Sequence, residues 1–226
     1  MTGLRDIKKQ RTHEAISTAA ITLFLRRGFD EVSVAEIAAA AEVSKPTLFK
    51  YFATKEDLVL HRIADHQGEA ARVVRRRRPG EEPLAALERH FLAGLHRRDP
   101  VTGLNDNAEV LGYHRMVFGT PSLAARVSHY MAGDEEALAE ALAESTDDLT
   151  ARLVAGQVLA VQRVLAHRNW RRLAEGETAE QVHPAAVHAA RHAFTLLRDG
   201  AGAAHGPEAG PGAAEARPLM DAEGSS

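Results

Sequence analysis

The sequence contains no cysteine and few aromatic residues, and both absences narrow the possible functions. Without a thiol among its 226 residues, the chain cannot form a disulfide, a thiol nucleophile or a thiolate zinc site. Aromatic residues make up 5% of the chain, and the alternating valine, isoleucine and threonine runs typical of strands are missing. The composition therefore predicts an all-α globular protein in a reducing compartment, the cytoplasm.

A strong excess of either charge is also missing, as are long apolar runs. The formal net charge of −3 argues against a general coating of nucleic acid, so any DNA contact has to come from a local basic surface. The first twenty residues carry no continuous apolar segment, and no later run approaches the ~20 apolar residues that span a bilayer. We therefore expect a soluble, unexported protein with no membrane partner.

Basic residues open the chain, and an amphipathic helix follows them. The predicted basic arm consists of Arg5, Lys8, Lys9 and Arg11. Apolar residues between Ile16 and Phe24 then recur at the i, i+3, i+4, i+7 spacing of a helix. Gly28 in the left-handed conformation would end this helix, and Phe29 would fold back on its last turn.

Two short helices with separate N-caps are predicted next. Ser33 and Glu36 have the spacing of a capping box, and the helix that they start runs to a break at Glu42. Ser44 then caps a further helix, with Pro46 in its first turn, where proline is tolerated. Two short helices at this spacing are typical of a helix-turn-helix, whose second helix lies in the major groove of DNA.

Longer helices are predicted for the rest of the chain. Thr54, with Asp57 three residues later, caps a fourth helix that is expected to run unbroken to about Arg78. Further helices are predicted at 84–95, from a capping pair of Asp106 and Glu109 to Gly119, from Thr120-Pro121 to Leu142, at about 149–174, and from Thr178 or Pro184 to Arg198. Residues 200–226 are mostly small or polar and are predicted to be a disordered tail.

The segment from Ser33 to Leu58, SVAEIAAAAEVSKPTLFKYFATKEDL, resembles the DNA-binding signature of the TetR family. The resemblance covers about residues 11–60 and implies a two-domain, nine-helix homodimer that binds operator DNA and a small molecule. In this arrangement residues 1–54 form a three-helix helix-turn-helix domain. A long fourth helix joins it to a helical ligand-binding and dimerisation domain at 55–199.

The resemblance also assigns DNA-binding residues by position. They lie on the exposed face of the recognition helix and at the start of the fourth helix, where a lysine and the helix N-terminus would hold phosphate: Lys45, Pro46, Thr47, Phe49, Lys50, Tyr51 and Lys55. Leu48 and Phe52 are expected to point into the core.

Three residues depart from the family pattern. Glu42 stands where the family usually has glycine, and a left-handed conformation there would cost about 1–2 kcal/mol. Pro46 replaces a commoner small residue, and Phe49 replaces a commoner tyrosine, so it has no hydroxyl to donate to phosphate.

Effector and dimer sites are expected in the larger domain. Ligand cavities are mainly apolar with a few polar groups. Residues of this mixture are candidates for lining one, and each can also be interpreted as ordinary core: Phe91, Leu95, Val110, His114, Phe118, Val127, Tyr130, Met131 and Gln157. Tyr113 and Trp170 are further candidates. The helices at about 149–174 and 184–198 carry more apolar residues than the single apolar stripe of a surface helix. They therefore predict an intermolecular four-helix bundle with two-fold symmetry.

The remaining motifs argue against an enzyme. His188 and His192 have the spacing of a helical metal pair, but no third ligand accompanies them, so neither a metal site nor a cofactor is expected. No phosphate loop, nucleophile elbow or carboxylate pair is recognisable. The sequence predicts a repressor that a small, mainly apolar ligand releases from a palindromic operator. An activator, or a helical protein-interaction module without DNA binding, is the alternative.

Overall fold

The computed structural model describes residues 3–200, without the side chains of Leu4 and Arg5, and this part of the chain is helical throughout. Its ten α-helices are α1 (Leu4–Arg27), α2 (Val34–Ala40), α3 (Lys45–Tyr51), α4 (Asp57–Ala64), α5 (Glu69–Arg75), α6 (Pro83–His96), α7 (Ala108–Gly119), α8 (Pro121–Ala143), α9 (Asp148–Ala174) and α10 (Ala179–Asp199). A 3-10 turn at Pro100–Thr102 precedes α7. The all-α prediction is confirmed, and the predicted tail lies beyond Gly200, outside the described residues.

Local capping starts α2 and α3 as the sequence predicts. The Glu36 carboxylate accepts a hydrogen bond from the Ser33 amide at 2.8 Å, and the Ser33 hydroxyl accepts one from the Glu36 amide at 3.3 Å. The Ser44 hydroxyl accepts from the Thr47 amide at 3.2 Å. Both short helices are therefore satisfied at their N-termini by residues only three positions away.

The turn between α2 and α3 is a Schellman motif built on a glutamate. Glu42 has a φ of 54°, and its amide donates to the Ala39 carbonyl at 3.1 Å. The next amide, of Val43, donates to the Ala38 carbonyl at 2.9 Å. The two hydrogen bonds satisfy the last carbonyls of α2, so the helix-turn-helix tolerates a left-handed residue that has a side chain.

The N-terminal helices share one core with parts of α7 and α8. Its members are buried apolar residues from both regions: Ile16, Ala20, Phe24, Phe29, Val32, Ile37, Ala38, Leu48, Phe52, Leu58, Val59, Leu60, Val117, Leu123 and Val127. Gly28 ends α1 with a φ of 94° but an extended ψ of 153°, in place of the predicted left-handed conformation. Phe29 still folds back, and its ring centroid lies 5.1 Å from that of Phe24.

The prediction of one long fourth helix is wrong. The chain breaks between Ala64 and Glu69, where Gly68 has a φ of 68° and donates its amide to Asp134 Oδ1 at 2.7 Å. The Gly68 amide is thus satisfied by a side-chain acceptor from α8 and not by a carbonyl of a continuing helix. This extra break raises the number of α-helices in residues 3–200 above the nine that the family resemblance implies.

Two smaller expectations need correction, and one open alternative is decided. The predicted basic arm is helical from Leu4 onward, so Lys8 and Lys9 lie in the first turns of α1. Asn107 caps α7, because its Oδ1 accepts from the Glu109 amide at 2.8 Å. Asp106 instead accepts from the Ala179 amide at 2.8 Å, at the start of α10. Of the two predicted starts of α10, Thr178 is the correct one, and Pro184 lies inside the helix.

A second core joins α6, α8, α9 and α10. It is built around Leu87, Phe91, Leu95, Leu104, Leu138, Leu142, Val158, Leu165, Val182 and Phe194. The longest helix, α9, reaches a mean hydropathy of 1.2 over 18 residues, and 22% of that window is buried. By length and composition alone α9 is a candidate membrane span, which the sequence-based expectation did not include. The same test is also passed by core helices of soluble proteins.

The loop before α7 packs directly on the backbone of α9. Gly103 has a φ of 70°, and a Cβ added there would lie 2.0 Å from the Ala166 carbonyl oxygen. Next to it, the buried side chain of Asn169 donates to the Thr102 carbonyl at 2.9 Å. Only glycine combines this backbone conformation with such a close approach.

Gly103→Ala is therefore expected to lower the free energy of unfolding by about 2–4 kcal/mol, through the clash and the positive φ. Gly119→Ala is the matched control, because an added Cβ there meets nothing within 4 Å at the end of α7. That change should alter stability by no more than about 1 kcal/mol. Urea unfolding compares the two, and equal midpoints would show that the loop is not held in this way.

Candidate nucleic-acid interface and effector site

The seven-residue helix α3 separates its apolar anchors from an exposed face, as predicted. Leu48 and Phe52 are 0% and 3% exposed. Four of the predicted DNA-binding residues are exposed, namely Lys45, Pro46, Phe49 and Lys50, while Thr47 and Tyr51 are half-buried. Phe49 is 48% exposed, a large apolar surface for a helix that packs on a small domain. The exposed part of α3 thus combines two lysines with an unpacked ring.

The two half-buried residues have contacts within the chain. The Thr47 hydroxyl lies 2.8 Å from that of Ser44, so it takes part in the N-terminal cap of α3. The Tyr51 ring lies 6.4 Å from the ring of His13 on α1. Their positions are therefore set partly by neighbours, whereas Lys45 and Lys50 extend from the surface.

Lys55 lies against the end of α1. Its ammonium group is 4.5 Å from the centroid of the Phe29 ring and 3.5 Å from the carbonyl oxygen of Asp30. The lysine is half-buried, and these two contacts set the position of its ammonium group in the free chain.

The capping pair predicted at the start of α4 is present. The Asp57 carboxylate accepts from the Thr54 amide at 3.0 Å, and the Thr54 hydroxyl accepts from the Asp57 amide at 3.1 Å. These contacts confirm the predicted capping pair. The Thr54 and Asp57 amides are therefore bonded within the chain, and phosphate binding at this helix N-terminus stays a prediction.

Histidines form a cluster beside α3 that the sequence analysis missed. His13 stacks on Phe52 with centroids 4.5 Å apart, and His61 Nε2 lies 2.7 Å from the Ser17 hydroxyl. Burial and the neighbouring His13 lower the pKa of His61. The cluster borders a groove of about 640 Å³ lined by Asp6, Lys9, Gln10, His13, Glu14, Ser17, Thr18, Tyr51, His61, Arg62 and Asp65. The one-turn spacing of His13 and Ser17 was a possible signal, but their partner lies on another helix.

The nine predicted effector residues are divided between the two cores and the surface. Phe91 and Leu95 are buried in the core of α6, α9 and α10, whereas Val127, Tyr130 and Met131 pack in the N-terminal core. Phe118 and Gln157 are exposed, and Val110 and His114 are half-buried. Tyr130 also borders an open surface depression of about 630 Å³ along α8, together with Ser122, Ala125, Arg126 and His129.

An aromatic stack between α7 and α9 brings His114, Phe118 and Trp170 together. The His114 ring lies 4.4 Å from Phe118 and 4.2 Å from Trp170, measured between centroids. His114 Nδ1 and Trp170 Nε1 are buried and have no hydrogen-bond partner among the described residues. Burial, with the nearby His167, lowers the pKa of His114 to about 4, so its ring is neutral at pH 7.

Tyr113 has a structural contact instead. Its hydroxyl donates to the Val59 carbonyl of α4 at 2.8 Å, and burial raises the pKa of the phenol. The residue therefore ties α7 to α4.

Comparison with known proteins agrees with this architecture. The family model for bacterial regulatory proteins of the tetR family matches residues 16–61. The HTH-type transcriptional regulator TcmR of Streptomyces glaucescens is 33% identical over 174 residues, which cover 74% of this chain and 76% of that protein. YdeS, a regulator of Bacillus subtilis, is 42% identical over 53 residues, 24% of this chain and 27% of its own.

Solved structures show the same fold. NalD of Pseudomonas aeruginosa superposes with a TM-score of 0.57 at 19% identity, covering 85% of this chain and 96% of NalD. FadR of Bacillus subtilis gives 0.50 at 16% identity, covering 81% and 96%. The fold and the capped, exposed α3 are those of a helix-turn-helix transcriptional regulator. The chain belongs to the TetR family, whose members found here are regulators and not enzymes.

The neutral state of His114 predicts a pH dependence. Because its pKa falls from 6.5 to about 4 on folding, only the unfolded chain takes up this proton between those values, and the free energy of unfolding falls as the pH drops through that range. His114→Phe keeps a ring in the stack without the titration. Relative to the wild type, the unfolding midpoint of His114→Phe should therefore rise as the pH is lowered from 7 to 5.

NMR titration of the histidine ring carbons measures the pKa directly, and the other histidines serve as internal controls in both proteins. A His114 pKa at or above 6.5, with a pH-independent difference between the two proteins, would contradict the assignment.

Proposed function

We propose that this protein is a homodimeric repressor that binds a palindromic operator and is released from it by a small, mainly apolar effector. The observation that carries the proposal is the exposed face of α3, with Lys45, Phe49 and Lys50 turned outward while Leu48 and Phe52 anchor the helix. Among its structural neighbours, NalD is the secondary repressor of the MexAB-OprM multidrug efflux pump, and FadR was solved in complex with stearoyl-CoA.

Each exposed residue of α3 has a plausible contact in the major groove. Lys45 and Lys50 donate to phosphate or to guanine O6 and N7, and the Phe49 ring contacts a thymine methyl group. Thr47 and Tyr51 complete the surface from the edges of the helix, and Pro46 pre-sets its first turn. Lys8, Lys9 and Arg11 are exposed on α1 and extend the basic surface.

Lys55 supports binding in a different way. Its cation lies over Phe29 in the free protein. A contact between this cation and a DNA phosphate would be electrostatic and would carry no base preference. Specificity then rests on α3, and Lys55 contributes affinity.

Two alanine variants separate these roles. Lys55→Ala should weaken binding to all DNA sequences and reduce the slope of log K against log salt by about 1. Lys50→Ala should cost about 1–3 kcal/mol and relax the base preference at one position. Fluorescence anisotropy on the DNA upstream of the protein's own gene measures both. Arg97→Ala is the control, because this exposed arginine lies at the end of α6, away from α3.

Unchanged affinity and salt dependence in both lysine variants would remove this interface. If the wild type does not bind the upstream DNA but does bind a protein partner, the chain is a protein-interaction module. Footprinting then distinguishes repression from activation by the position of the site relative to the promoter.

An apolar stripe along α9 supports the dimer. Leu149, Leu153 and Val164 are 67%, 55% and 64% exposed, and they recur on one face of the helix. Ala160 lies between them on that face, and Gly156 lies next to Glu135 of α8, where an added Cβ would be 3.2 Å from Oε1. On α10, His188 and His192 are exposed.

We infer that a second copy covers this face, through α9 and α10 of both protomers, in a two-fold four-helix bundle. The bundle accounts for the low burial of an apolar helix without a bilayer, in keeping with a cytoplasmic protein. It would also place two recognition helices one DNA turn apart, at about 34 Å.

The double variant Leu153→Glu with Val164→Glu should convert the dimer to a monomer, because it places like charges opposite each other across the two-fold axis. Light scattering after gel filtration measures the mass. Ser128→Glu, on an exposed part of α8, adds one negative charge away from this face and should leave the dimer intact. A wild-type protein that is already monomeric would refute the bundle.

The aromatic stack is the best-supported effector contact. His114 Nδ1 and Trp170 Nε1 are buried without protein partners, so a bound molecule with a polar atom could satisfy them while its apolar part meets Val110 and Phe118. Gln157 lies exposed on α9, and the deeper predicted residues act as the supporting core. Compounds that release the protein from its operator would identify the effector.

A further inference from the structure

Two side chains of α8 contact the segment that contains α4, one at the start of the helix and one at the turn that follows it. Arg126 Nη2 donates to Asp57 Oδ1 at 2.6 Å, at the first residue of α4. Eight residues later on α8, Asp134 Oδ1 accepts from the Gly68 amide at 2.7 Å, at the N-cap of α5 and beyond the turn that ends α4. Residues four apart share a helix face, so Arg126, Tyr130 and Asp134 form one row. This row, which we term the α8 clamp, spans α4 along its length.

The first contact of the α8 clamp leads toward the recognition helix. The Asp57 carboxylate that accepts from Arg126 also accepts, through Oδ2, from the Thr54 amide at 3.0 Å. Thr54 is three residues beyond Tyr51, the last residue of α3. The charge of Asp57 is thus shared between α8 and the connection from α3 to α4, and the tyrosine and aspartate beside Arg126 raise the pKa of that guanidinium.

The second contact fixes the break between α4 and α5. Gly68 is in the left-handed conformation, and Arg72 donates to the Gln67 carbonyl at 2.6 Å. Asp134 is half-buried, burial raises the pKa of its carboxyl, and its Oδ1 accepts from the Gly68 amide. A half-buried acceptor that meets a left-handed turn restricts where that turn can lie.

We propose that Arg126 and Asp134 are positioning residues that make α4 follow α8, so that a displacement of α8 is delivered to α3 through Asp57 and Thr54. One contact acts at the first residue of α4 and the other at the turn between α4 and α5, so the segment from Asp57 to Gly68 is tied to α8 at both of its ends. The α8 clamp refines the proposed release mechanism, because it names the side chains through which the larger domain acts on the DNA-binding helix.

Hydrogen exchange tests the α8 clamp without DNA or effector, on the full chain. In Arg126→Gln and in Asp134→Ala, amides of residues 57–68 should exchange about 5-fold faster or more, while α10 keeps its protection. Arg126→Lys and Asp134→Asn, which retain a donor and an acceptor, should restore most of the protection. Arg115→Gln, an exposed arginine of α7, controls for the lost charge. Faster exchange throughout the chain, or unchanged exchange in residues 57–68, would overturn the α8 clamp.

Operator affinity gives the second readout and depends on the proposed function. Arg126→Gln should weaken binding about 5-fold beyond the Arg115→Gln control. Asp57→Asn combined with Arg126→Gln should be no weaker than the worse single variant, because both changes break one contact. Additive losses would show that Arg126 acts elsewhere. A wild type that binds no operator refutes the proposed function, and the exchange result still decides the clamp.

Discussion

The burial of Leu48 and Phe52 is the constraint on which the proposed DNA-binding surface depends. A helix of seven residues is too short to be stable alone, so α3 exists only because these two side chains are held in the N-terminal core. Their burial decides which face of α3 is left exposed. The caps at Ser33 and Ser44 and the left-handed Glu42 set the angle at which the chain enters this core.

That core is not confined to the helix-turn-helix. Val117 and Val127, from α7 and α8, are buried with Phe52 and Leu58, and the Tyr113 hydroxyl binds the α4 backbone. Part of the larger domain is therefore built into the packing that supports α3. Since close-packed cores transmit small shifts, this shared burial provides a physical route from the larger domain to the DNA surface.

Exposed apolar side chains and a buried polar group that has no hydrogen-bond partner among the described residues both occur on α9. Leu153 and Val164 are exposed on one side of the helix, and the Trp170 indole nitrogen is buried without an acceptor near its end. A monomer gains nothing from either feature. A second copy on the stripe and a ligand at the aromatic stack would resolve both, which is why the two proposals concern the same helix.

The sequence by itself determined the elements whose hydrogen bonds join residues three to five positions apart. The all-helical class, the capping box at Ser33, the turn at Glu42 and the two-sided character of α3 were all readable, because both partners of each contact are close in the chain. The family followed from one such segment, since it carries the residues of the recognition helix.

Tertiary structure alone decided the contacts between distant residues. Asp134 breaks the predicted fourth helix, Asp106 binds the start of α10, and Lys55 lies over Phe29. The predicted effector residues likewise separate into two cores. Apolar periodicity reports that a helix face is buried, but not which helix buries it or which distant polar group meets its ends. Those outcomes depend on packing that no local pattern records.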